Sequence, residues 1–117
     1  MNISILLPYK ENYSPTYPGA VSLFVDATSK LSIYRKDITV FGNTEYIKKL
    51  YGNYINIKLP KNNFLNSQSS SYVNKFVDLQ GEINSDIIEV HNRPNYISKL
   101  IKLKKKIVLY FHNDPLT

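Results

Sequence analysis

Ile87-Ile88-Glu89-Val90-His91-Asn92-Arg93-Pro94 and Ile107-Val108-Leu109-Tyr110-Phe111-His112-Asn113-Asp114-Pro115, with Tyr96 to Lys105 between them, decide the fold. Each flanking stretch runs from β-branched and apolar residues into His-Asn-x-Pro. The middle piece carries Ile97, Leu100 and Ile101 at i, i+3 and i+4, the spacing of an amphipathic helix with one buried face. A strand, helix, strand unit of this kind sets its strands parallel, ~4.8 Å apart if adjacent, with both carboxyl ends at one edge of the sheet. Both imidazoles of the chain and two Asn side chains then meet on the rim where open α/β sheets bind ligands.

Working outward, Ile3-Ser4-Ile5-Leu6-Leu7 before Pro8 reads as a first, central strand buried on both faces. Pro8 to Pro18 is a polar loop. A helix is expected from about Gly19 to Ser32, with Val21, Phe24, Val25 and Leu31 as its apolar stripe and Pro18 at its start. Asp37 to Phe41 reads as strand two, Thr44 to Tyr51 as a short helix on Ile47 and Leu50, and Tyr54 to Leu59 as a half-exposed strand near an edge. Lys61 to Ser71 is loop-like, its Ser69-Ser70-Ser71 run suited to capping a helix over Tyr72 to Ile83, with Val73, Phe76, Val77 and Gln80 inward. The alternation predicts an α/β, Rossmann-like doubly wound parallel sheet of about five strands in order 3-2-1-4-5, with helices on both faces. Residues 1–117 form one domain, and a missing neighbour strand would leave an apolar edge that favours a homodimer.

Composition narrows the chemistry. The absence of cysteine removes disulfides, thiolate metal sites and a thiol nucleophile, and suits a reducing cytoplasm. No apolar run approaches the ~18 residues of a membrane span, and Met1-Asn2-Ile3-Ser4 lacks a signal-peptide pattern, so a cytoplasmic protein is expected. The net charge of +6 rests almost wholly on Lys. Lys99, Lys102, Lys104, Lys105 and Lys106 suit a solvated helix face near the negative end of its dipole, with peripheral contact to anionic lipid at the inner membrane face as the alternative. Nucleic acid is disfavoured, because Arg is scarce and no RNP-type motif occurs. No G-x-G-x-x-G, no G-x-x-x-x-G-K-[ST] and no G-x-S-x-G is present, so no cofactor site and no Ser-His-Asp triad is expected. No metal site is expected either, since only Glu89 and Asp114 accompany the histidines.

Leu7-Pro8-Tyr9 through Tyr17-Pro18-Gly19-Ala20-Val21, with Glu89-Val90-His91-Asn92-Arg93-Pro94 and Tyr110-Phe111-His112-Asn113-Asp114-Pro115, resembles the N-terminal domain of family 4 glycosyltransferases. Those enzymes are retaining and metal-independent, with two facing Rossmann-like domains. The resemblance implies the acceptor-side half of an enzyme that moves sugar from a nucleotide-sugar donor to a glycan, lipid or small acceptor, as in making cell-envelope polysaccharide. It makes His112 the catalytic-pocket residue. It sets His91, Asn92, Asn113 and Asp114 in the substrate pocket, and the backbone at Gly19 and Ala20 near donor phosphate, where the family usually has Pro-Gly-Gly. Donor recognition belongs to a C-terminal domain absent from this sequence, and the family's first domain continues past the position of Thr117. The chain is therefore expected to be an incomplete domain, inactive alone. A free-standing, non-catalytic binding or assembly domain is the alternative.

Overall fold

The computed structural model describes residues 1–60 and 68–112. Its strands are β1 (Ile3–Leu6), β2 (Ile38–Gly42), β3 (Asn53–Asn56), β4 (Ile87–His91) and β5 (Lys106–Tyr110); its helices are α1 (Ala20–Leu31), α2 (Gln68–Ile83) and α3 (Ile97–Leu100). The strands form one sheet in the order β3-β2-β1-β4-β5, and every neighbouring pair is parallel. This is the order expected from the alternating pattern.

Period-two alternation splits β1 between two cores. Ile3, Ile5 and Leu7 face α1 and bury with Val21, Val25, Ile38, Val40 and Tyr13. Leu6 faces the other way, into a cluster of Phe41, Ile88 and Val90 against Tyr72, Val73 and Phe76 of α2 and Leu100 of α3. Helices thus cover both faces. The inward residues expected for α2 hold: Val73, Phe76 and Gln80 are buried and Val77 packs against the core.

Several local expectations are corrected. No helix connects β2 to β3, because backbone groups of Thr44 to Tyr51 find tertiary partners. The Thr44 N–H donates to Asn56 Oδ1 at 2.8 Å, that of Leu50 to the Tyr13 carbonyl at 3.3 Å, and that of Tyr51 to Asp26 Oδ1 at 2.8 Å. The α1 stripe is partly polar: Ser22, Asp26 and Ser29 are buried, whereas Phe24 is 40% and Leu31 86% exposed. α3 is a single turn flanked by 3-10 turns at Pro94–Tyr96 and Ile101–Leu103. α2 begins at Gln68, so Ser69 to Ser71 lie inside its first turn instead of capping it; residues 61–67 of the expected loop lie outside the described residues.

Candidate functional site

Register brings the two histidines together. His91 pairs with Tyr110 across β4 and β5, so His112, two residues past Tyr110, falls on the same side of the sheet as His91. Its ring folds back until Nε2 lies 2.8 Å from Nδ1 of His91. Asn92 holds this closure. It adopts a left-handed φ of 59°, a conformation Asn tolerates better than most residues, and its N–H donates to the Tyr110 carbonyl at 2.7 Å. Its side-chain Oδ1 accepts from the His112 N–H at 3.3 Å. Arg93 turns back to donate from Nη1 to the Asn92 carbonyl at 2.7 Å.

Aromatic rings wall the pair. Tyr110 stacks on His91 with centroids 4.9 Å apart and planes 4° off parallel. Phe24 of α1 meets the His112 ring edge-on at 4.9 Å. His91 is 1% exposed, and its Nε2 is 3.5 Å from Glu89 Oε2. Burial holds His112 below the ordinary histidine range; its neighbour His91 pushes the same way, and Glu11 pulls in the opposite direction. His112 is therefore biased towards the neutral, hydrogen-bonding form.

The amino end of α1 is arranged differently from the resemblance's expectation. Gly19, its N-cap, offers no side chain, and the first turn contains no acid. Glu11 supplies both from the preceding loop: its Oε2 accepts from Ser22 N–H at 3.2 Å and Ser22 Oγ at 2.7 Å. The Gly19 N–H donates to the Asn12 carbonyl at 3.2 Å, while Ala20 is exposed. A carboxylate from the chain itself thus occupies the positive end of the dipole where phosphate was expected.

Beyond the carboxyl ends of β1, β2 and β3 lies an open cleft of about 1220 Å³, lined among others by Tyr9, Tyr17, Tyr46, Lys10, Lys49 and Lys58. Other tyrosines pack internally: Tyr13, Tyr72 and Tyr96 are buried. Comparison with family models, curated proteins and solved structures gives no match. The rim must be read from its own geometry.

His91, Asn92 and His112 come together as one unit, and Gly19 and Ala20 begin the helix whose Phe24 touches that unit. Asn113 and Asp114 lie outside the described residues. Glu11 and Phe24 were missed as site residues: Glu11 stands in a polar loop with no motif, and Phe24 has helical-stripe spacing. Only the tertiary fold shows their roles. Among the described residues no three His, Cys, Asp or Glu side chains gather to hold a metal ion, and no helix is long and apolar enough to cross a membrane. Within the lysine cluster, Lys99 donates to Asn74 Oδ1 at 3.2 Å and Lys105 to Asn84 Oδ1 at 2.5 Å, while Lys102, Lys104 and Lys106 are exposed.

Proposed function

We propose that this chain is the acceptor-side domain of a retaining, family 4-like glycosyltransferase, working with a donor-binding domain that these residues do not include. The observation that carries the reading is the meeting of His91 and His112 at the carboxyl rim of β4 and β5, in a sheet whose chain reversal between β1 and β4 opens beside that rim. The His112 imidazole, biased towards its neutral form and met edge-on by Phe24, suits a sugar, which offers hydroxyls to hydrogen-bond and C–H faces to aromatic rings. The cleft beyond β1, β2 and β3, with tyrosines and amides, is roomy enough for an extended acceptor. In the assembled enzyme His112 orients the sugar and acceptor for transfer.

One observation favours a second reading, a non-catalytic binding domain: Glu11 fills the α1 amino end that a donor phosphate would use. A single titration separates the two. Spectra of the isotope-labelled chain are followed while nucleotide sugars and simple glycans are added. The enzyme reading expects glycans to move the signals of His112 and the cleft residues, nucleotides to bind only weakly, and transfer to stay at background. Tight nucleotide binding, or transfer by the isolated chain, would overturn this division of labour, and silence towards every glycan would favour the second reading.

A further inference from the structure

Two neutral histidines that share one hydrogen bond can place their protons in two ways, and the surrounding groups choose between them. In one arrangement His91 carries its proton on Nε2 and accepts at Nδ1 from His112 Nε2–H. In the other, His91 donates from Nδ1 and leaves a bare lone pair on Nε2. That Nε2 is buried without a hydrogen-bond partner, and Glu89 Oε2 stands 3.5 Å away. A lone pair there would oppose a carboxylate across a desolvated gap, whereas an N–H directs its positive end towards the same charge. Glu89 and His91 share the α1-facing side of β4, so the strand's own period fixes this approach.

We propose that Glu89, acting through His91, sets the tautomers of both rings: each carries its proton on Nε2, and Nδ1 of His112 is the one nitrogen left for a group outside the chain Glu89, His91, His112. Glu89 is a positioning residue in this scheme, since it never touches the ligand. On the sugar-binding reading above, the consequence is selective. An unprotonated Nδ1 accepts from a hydroxyl, so the His112 end of the rim takes polyols in preference to phosphate or carboxylate near neutral pH. The other charged or polar groups at the pair are compatible with this arrangement. Glu11, from the loop before α1, favours uptake of a proton by His112; Arg93 is turned to the Asn92 carbonyl; Asn92 engages the His112 backbone. α1 contributes the Phe24 ring and β5 the Tyr110 ring.

Long-range proton–nitrogen correlation spectra of the whole chain, labelled at histidine and recorded at mildly alkaline pH, read the tautomers directly without any ligand. In the native chain the expected pattern is Nε2–H on both rings, with Nδ1 of each unprotonated. In Glu89→Gln, whose amide can either donate or accept, His91 is expected to lose its single tautomer and show averaged nitrogen shifts. An Nδ1–H on His91 of the native chain would overturn the proposal, whether or not the variant folds. So would tautomers unchanged in a folded Glu89→Gln. Failure of glycans to bind while these spectra behave as expected would count against the sugar-binding reading alone.

Discussion

A methyl group at Gly19 would sit 1.7 Å from Oε2 of Glu11, the oxygen that caps the first turn of α1. Gly19→Ala must therefore push the carboxylate off the helix end, combining overpacking with a lost cap, at an expected cost of about 1–3 kcal/mol in urea unfolding. In a Glu11→Ala background the same change should cost much less, because the obstacle and the cap are already gone; equal costs in both backgrounds would show that the two residues do not interact. His112 supplies a second prediction at this scale. Its folded pKa lies below the ordinary value, so the unfolded chain binds the proton more readily. The stability it contributes is complete above the ordinary histidine pKa of about 6.5 and is lost as pH falls from there through the lowered folded value. Chemical denaturation from about pH 8 down to pH 5 should show native stability falling relative to His112→Gln, which lacks this component. A parallel decline in the two proteins would remove His112 as its source.

Two glycines make opposite predictions for the elements that hold them. Gly81 lies within α2, and a Cβ built there meets nothing within 4 Å. Gly81→Ala should gain about 0.5–1 kcal/mol through helix propensity and a stiffer unfolded chain, raising Tm by roughly 2–6 °C. Gly52 also has open space around it, but its φ is +96°, so Gly52→Ala should destabilise despite the room. Calorimetry on the pair separates crowding from backbone strain. The same contrast explains what was legible in the sequence. β1, β2, β4, β5 and α2 follow from local periodicity, and the strand order from the alternation of elements, whereas β3 stops at Asn56, short of the expected Leu59. The Thr44 to Tyr51 connection misled because Ile47 and Leu50 mimic a helical stripe while the decisive partners, Asp26, Tyr13 and Asn56, come from other elements. At the site, the two His-Asn-x-Pro endings announced a shared rim, and Glu89 announced the same face as His91. The 2.8 Å contact between the rings, the Phe24 wall and the Glu11 cap depend on how α1 and its preceding loop settle on the sheet.

At the scale of the molecule, the two cores share a single sheet, and this makes them cooperative. β1 and the residue that follows it send Ile3, Ile5 and Leu7 to the α1 side, and β1 sends Leu6 to the α2 side, so neither core can loosen without releasing the strand at the centre of the other. Phe76 is fully buried and meets Phe41 edge-on at 4.9 Å; Phe76→Ala should cost about 3–5 kcal/mol. Val25, fully buried on the opposite face, should cost about 1–3 kcal/mol as Val25→Ala. Against a total stability of about 5–15 kcal/mol, either loss is a large fraction of the whole. The two variants truncate different faces, yet each should lower one common transition, with tyrosine near-UV and backbone far-UV dichroism falling together. The histidine pair should follow that same transition, since its strands belong to the shared sheet and its Phe24 wall to the α1 layer. If Phe76→Ala melted the α2 side first while histidine ring signals of the native rim persisted, the two faces would be separate folding units, and the rim would rest on the α1 core alone.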